Sequence, residues 1–245
     1  MMILIREGLT RLAHVTIASM NLHCGAGTRG QPFDIEAAIA GLAADVIVLQ
    51  ETWSPEDAGT DPVESAAKAM GARLFRVPQR RVRALTDIAI PLSAGPGAVG
   101  IALLTTLPVT GYEVVRLRHI PGDVAARRAQ IATVGLPGGR ALRVTGTHLT
   151  YRLASPVQLA QILLRLGTTS LPTVIAGDLN MPRQVARCAP GYEPAVRGRT
   201  WPAELPLVQL DHVLVGRGAT LVDAAVLPPA GSDHLPVRAR LRIPA

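Results

Sequence analysis

Lysine is nearly absent from this 245-residue chain: Lys68 stands alone, and the other basic residues among the 25 are arginines. Aromatic residues make up only 3% of the chain, so there is little to stack on nucleobases. Two cysteines, Cys24 and Cys188, exclude a disulfide framework, and their spacing is not that of a metal-binding pair. Cys24 reads as an inert core thiol. No apolar run approaches the roughly 18–20 residues needed to span a bilayer as a helix. The opening stretch is apolar but interrupted by Arg6, Glu7, Arg11 and His14, so it lacks the continuous centre of a secretory signal. The expectation from these absences is a cytoplasmic protein without stable membrane insertion, and a monomer with no protein partner.

What is present is a globular composition, 48% hydrophobic and 18% charged. The formal charge of +7 invites a polyanionic partner. Basicity carried almost wholly by arginine, with abundant Ala, Gly, Pro and Val, reflects a general codon bias, which weakens that inference. Arginines cluster at 76, 80, 81 and 83 and again at 116, 118, 127 and 128; solvated loop charge and a phosphate-facing role are equal readings of them.

The stretch Val174 to Met181, VIAGDLNM, organises the rest. Its apolar start reads as a buried strand, and Asp178 and Asn180, two positions apart, fall on one side of an extended chain. Such a carboxylate and carboxamide can hold a metal-bound oxygen, a phosphate or an attacking water.

Similar strand ends recur. His14 to Ser19 reads as a strand leading to Asn21. Asp45 to Gln50 is a doubly buried strand that terminates in Glu51. Leu142 to Thr147 ends in His148, Leu210 to Val215 carries Asp211, and Gly231 to His234 is a polar turn before the last strand. Further strands are expected at 74–77, 99–105, 109–117, 129–134, 220–227 and 235–241. Helices are expected after Asp34, at 62–70 with Pro62 early, and at 156–166 with Ser155 as cap. Residues 78–97 read as a surface loop, and 182–206 as a loop with one short helix. No linker is visible. Two β-rich halves packed face to face with helices outside account for this order.

One Asp or His at a strand end is ordinarily a turn or cap residue. Several together repel one another unless a cation is present, and an oxygen-rich set selects Mg²⁺, with Mn²⁺ or Ca²⁺ also accommodated. Such a site suits hydrolysis at phosphorus, with an Asp–His pair to activate water.

The set ASMNLH, LQETW, GTHL, AGDLNMP, LDHVLV and GSDHLPV resembles the endonuclease/exonuclease/phosphatase superfamily with its DNase I-like fold, over about residues 14–241. The resemblance implies a four-layer α/β sandwich of the α+β kind: two packed mixed β-sheets flanked by helices. It implies one domain over 14–245 preceded by an extension at 1–13. It also implies divalent-metal-dependent phosphoester hydrolysis. By motif position, Glu51, Asn21 and Asp233 would hold metal, and Asp178 and Asn180 would position nucleophile and phosphate. Asp233 would orient His234, which takes the proton of the water, while Asp211 would orient His148 beside the phosphate. Arg128 rather than Arg127 would bind phosphate.

The THL segment is similar to the DNase I, sphingomyelinase and general phosphodiesterase branches. The Asn-Tyr segment of apurinic endonucleases is missing, and so is the Trp-Cys-Asp-Arg motif of inositol polyphosphate phosphatases. The segment IAIPL, 88–92, reads as core rather than a membrane-contacting loop. The expected substrate is a phosphodiester, nucleic acid included. Alternatives are a small phosphomonoester and, from a different class, a non-catalytic polyanion-binding module.

Overall fold

The computed structural model describes residues 13–56, 59–151 and 153–244. Twelve strands follow in chain order: β1 Ala13–Asn21, β2 Val46–Pro55, β3 Arg73–Val82, β4 Gly97–Thr105, β5 Val109–Arg116, β6 Arg128–Leu136, β7 Arg140–His148, β8 Thr173–Asp178, β9 Tyr192–Pro194, β10 Asp211–Gly216, β11 Thr220–Val226 and β12 Val237–Ile243. They form two six-stranded sheets, ordered β11-β12-β1-β2-β4-β3 and β5-β6-β7-β8-β10-β9. Each sheet is mixed, with one parallel pair at its centre: β1 with β2, and β7 with β8. This is the four-layer sandwich expected from the sequence. Apart from Ala13, which opens β1, the expected extension at 1–13 lies outside the described residues.

The alternation inside the central strands builds the layers. In β2, Val46 and Val48 face the opposing sheet, where they meet Val144, Val174 and Val213 in the inter-sheet core. Ile47 and Leu49 point the other way, against Ile39 of helix α1 (Ile35–Gly41) and Ala66 of helix α2 (Pro62–Ala69). In β8, Ile175 packs on Leu159 and Ile162 of helix α3 (Ser155–Leu166) and on Ala186 of helix α4 (Arg183–Ala186). Each fully buried Val, Ile or Leu contributes about 1.5–3 kcal/mol, and burial on both faces explains the unbroken apolar runs.

Local signals held where they were chemical. Asp34 caps α1 through Ala37 N–H, and Asp61 caps α2 ahead of Pro62. Four expectations are corrected. Strand β2 does not end at Glu51 but runs through it as a bulge, with a register shift between Leu49 and Thr52. Strand β3 continues to Val82 where a loop was expected; it lies on the sheet edge, which tolerates Pro78 at a register shift. Ser155 sits inside α3 and does not cap it; its hydroxyl donates to the Asn180 carbonyl. The short strand β9 fell within the expected 182–206 loop. IAIPL is core only at Ile90, which is buried with Leu85 beside Trp53; Ala89 and Pro91 are exposed.

Candidate active site

Strand register aligns the polar strand ends. His148 pairs with Asp178 across β7 and β8, and Asp178 pairs with Asp211 across β8 and β10, so three functional side chains occupy one row of the second sheet. Gly177 permits that row. Its φ is +150°, and a Cβ there would lie 2.0 Å from the Thr147 carbonyl oxygen, so no side chain fits between β7 and β8 at this point.

The first sheet supplies the facing side. Asn21 ends β1, and its Nδ2 donates to Asp178 Oδ2 at 3.2 Å while its Oδ1 accepts from His23 N at 2.9 Å. Glu51 occupies the β2 bulge with φ +48°, and Asn180 turns the chain after β8 with φ +50°. Left-handed backbone is costly for Glu and milder for Asn. Glu51 accepts no hydrogen bond among the described residues. Its Oε1 lies 3.9 Å from His148 Nε2.

Asp178 Oδ1 accepts from Asn180 N at 2.9 Å, and its Oδ2 lies 3.6 Å from His148 Nε2 and 3.9 Å from His234 Nε2. Asn180 Nδ2 lies 3.1 Å from both His148 Nε2 and the Leu149 carbonyl. Its two amide hydrogens satisfy both contacts when His148 Nε2 is an acceptor. His234 Nδ1 and Asp211 Oδ2 are 2.9 Å apart. Asp211 is therefore the partner of His234, and the expected pairings of Asp211 with His148 and of Asp233 with His234 are corrected. Asp233 instead accepts from Trp201 Nε1 at 3.3 Å and from the Ser232 hydroxyl at 3.2 Å, and lies 3.5 Å from His23. Its carboxylate makes no hydrogen bond to the His234 ring among the described residues, where Asp211 holds Nδ1.

The two candidate arginines are placed differently. Arg128 is tied to the Pro78 carbonyl at 2.6 Å. Arg127 is buried and lines a cavity of about 350 Å³ with Glu51, His148, Asp233 and His23. Ile88, Ile90, Val99 and Val124 form an apolar wall of the same cavity.

The row separates its proton affinities. Burial pushes the Asp178 carboxyl up to about 7, reinforced by the negative charge of Asp211. Burial holds His148 well below the usual imidazole range, with the Arg127 charge acting the same way. Burial also opposes charge on His234, but the Asp211 carboxylate outweighs it and lifts the ring to about 10. Without a bound ion, a neutral His148 and an imidazolium at His234 therefore flank Asp178 at neutral pH.

The donor set fits a hard divalent cation. Glu51 lacks a partner of its own, the buried Asp211 Oδ1 accepts no hydrogen bond, and donor atoms of Asp178, Asp211 and His234 lie within 4.8 Å of one another.

Sequence reading missed Asp123 and His23. Asp123 stands four residues before Arg127, the one signal available for it.

A family model described as Endonuclease/Exonuclease/phosphatase family matches residues 18–234. Among solved structures, an endonuclease/exonuclease/phosphatase from Beutenbergia cavernae DSM 12333 is 21% identical with a TM-score of 0.72, over 95% of this chain and 72% of that one. The human Nocturnin catalytic domain with bound sulfate is 18% identical with a TM-score of 0.71, over 94% of this chain and 93% of that one. A mannosyl-6-phosphatase from Bacteroides thetaiotaomicron VPI-5482 is 14% identical with a TM-score of 0.72, over 93% and 99%. At these identities the structures establish the shared fold. No curated protein sequence matches the chain. No helix among the described residues is long and apolar enough to cross a membrane.

Proposed function

The chain belongs to the endonuclease/exonuclease/phosphatase family, whose members are phosphoester hydrolases, and on that premise we propose that it is a divalent-metal-dependent phosphodiesterase or nuclease. The observation that carries this reading is the buried row His148, Asp178, Asp211 with His234 against Asp211, facing Glu51 across the gap between the sheets.

In this reading Glu51, with Asp233 and Asn21, would hold Mg²⁺, with Mn²⁺ or Ca²⁺ as substitutes. When bound, the cation would neutralise a phosphate oxygen, stabilise the leaving alkoxide and lower the proton affinity of His234. Asp178 and Asn180 position the attacking water. Asp211 keeps the proton-bearing Nδ1 of His234 engaged and leaves Nε2, 3.9 Å from Asp178, to receive the proton of the water. Asn180 and His148, bonded to each other, line the phosphate position, and Arg127 supplies positive charge beside it.

Bis(p-nitrophenyl) phosphate and plasmid DNA, each with Mg²⁺ or Mn²⁺ and with EDTA, test the reading. Hydrolysis that EDTA abolishes and added metal restores is expected. Absence of turnover of these and of a phosphomonoester panel with any divalent ion would instead support a polyanion-binding module. The phosphomonoesterase alternative draws on the mannosyl-6-phosphatase neighbour and on another described as a 2',3'-cyclic phosphatase. A monoester preferred over the diester would select it.

Glu51→Gln removes the one carboxylate of the cavity that lacks a partner. The metal concentration for half-maximal activity is expected to rise at least about tenfold, read from a Mg²⁺ titration. Arg127→Ala is expected to lower kcat/KM about a hundredfold and Arg128→Ala less than about threefold, because the Arg128 guanidinium is bound to backbone rather than the cavity.

A further inference from the structure

Arg127 carries five N–H donors in a planar fork. Asp123 takes one edge of it: Nε donates to Oδ2 at 2.8 Å and Nη2 to Oδ1 at 3.4 Å. The pair is enclosed, with side-chain exposures of 8% for Arg127 and 1% for Asp123. This guanidinium makes no other hydrogen bond among the described residues, yet it lines the cavity with Glu51 and His148. Its remaining edge is the free one.

Asp123 is itself held from two directions. Ala125 N donates to Oδ1 at 3.0 Å, and the Thr150 side chain hydrogen-bonds the carboxylate. Next to it, the Tyr151 hydroxyl donates to the Gly122 carbonyl at 3.3 Å. Thr150 and Tyr151 lie just past Leu149 in the segment that leaves β7 after His148. The loop that carries Asp123 is thereby fastened to the segment leaving the catalytic row. A buried ion pair adds little net stability by itself, so stabilisation alone is a weak reason for this arrangement.

We propose that Asp123 is a positioning residue: its carboxylate locks one edge of the Arg127 guanidinium to the exit of β7, so that the opposite edge meets the substrate phosphate beside His148. The proposal rests on the reading of this cleft as a phosphoester hydrolase site. It differs from a structural ion pair in one respect. Loss of Asp123 must act through Arg127 and through phosphate binding.

The test is a double-mutant cycle on bis(p-nitrophenyl) phosphate hydrolysis with Asp123→Asn, Arg127→Ala and both, together with calorimetric binding of inorganic phosphate to the metal-loaded protein. Asp123→Asn is expected to raise KM and weaken phosphate binding about tenfold, with kcat changed by less than about threefold. In the Arg127→Ala background it is expected to change neither. An equal further loss in that background, or unaltered phosphate affinity in the single variant, overturns the proposal. If Asp123→Asn does not fold, Asp123→Glu, which keeps the charge but displaces the guanidinium, is expected to show the same rise in KM, and a normal KM overturns the proposal. If the unaltered protein hydrolyses no phosphoester, the hydrolase reading fails, while phosphate binding still decides the role of Asp123.

Discussion

Asp178→Asn is expected to lower turnover at least a thousandfold while raising the thermal midpoint of the ion-free protein. Both effects come from the same burial. The Asp178 carboxyl is 2% exposed, faces Asp211 across the strand pair, and has its proton affinity pushed up to about 7. A carboxyl whose folded value is raised contributes stability that is fully present below its unfolded value, near 4, and lost as pH rises through about 7. Asparagine keeps the shape without a charge to bury, so the advantage of the variant grows between about pH 4 and 7 and is constant above. The contact from Asn21 Nδ2 is lost in exchange. The net gain at pH 8 is about 2 kcal/mol, or about 5 °C for a chain of this length. Differential scanning calorimetry in EDTA at pH 5 and pH 8 measures it, alongside kcat with saturating metal. A variant with normal turnover removes Asp178 from the mechanism. A midpoint that falls at pH 8 shows that the carboxylate is not a strained group in the ion-free fold.

Asp211→Asn is expected to cost about a thousand- to ten-thousandfold in kcat at saturating metal, close to the loss in His234→Ala, whereas Asp233→Asn, one of three groups assigned to the cation, costs less than about tenfold once metal saturates. The difference follows from geometry. Asp211 Oδ2 lies 2.9 Å from His234 Nδ1, while the Asp233 carboxylate is engaged by Trp201 and Ser232. An asparagine beside a catalytic histidine presents an amide that favours the wrong tautomer, which in Ser-His-Asp triads costs about ten-thousandfold. Ring NMR of the ion-free protein offers a second readout. His234, lifted to about 10 by Asp211 against the opposing effect of burial, is expected to fall toward the ordinary imidazole range in Asp211→Asn. The raised affinity of His234 contributes stability that is fully present below about pH 6.5 and lost as pH rises through about 10. The destabilisation by Asp211→Asn is therefore greatest at and below about pH 6.5 and shrinks as pH rises toward about 10. If Asp233→Asn proves as damaging as Asp211→Asn, the observed pairing does not govern catalysis.

Much of the architecture was legible in residue patterns, for reasons that differ from element to element. Val46 to Leu49 alternates between two apolar faces because β2 is buried on both, and the absence of polar positions announces a central strand. Asp34 announces a helix start because an unpaired N–H needs an acceptor nearby in sequence, and Pro62 announces another because its fixed φ suits a first turn. Ser155 misled for the same reason: it carries a capping side chain, but the Asn180 carbonyl, 25 residues away, is its acceptor. Glu51 was identified as a polar residue after an apolar run, yet its bulge could not be read, since a bulge is a property of the pairing of β2 with β4.

The candidate site divides along the same line. Sequence alone determined which residues are candidates, because alternation and turn chemistry act within a few residues of the chain: Asn21, Glu51, His148, Asp178, Asn180, Asp211, Asp233 and His234 were all named from local pattern or motif. Only the tertiary structure decided which of them touch. Asp211 and His234 are 23 residues apart, and Asn21 and Asp178 are 157 apart. Each pair meets through strand register and the packing of one sheet on the other. Tertiary structure likewise places Arg127 at the cavity and Arg128 against the Pro78 carbonyl, a difference that two adjacent arginines do not show in sequence. Residue types are selected by local backbone and burial. Partners are selected by non-local register, which no single stretch of the chain contains.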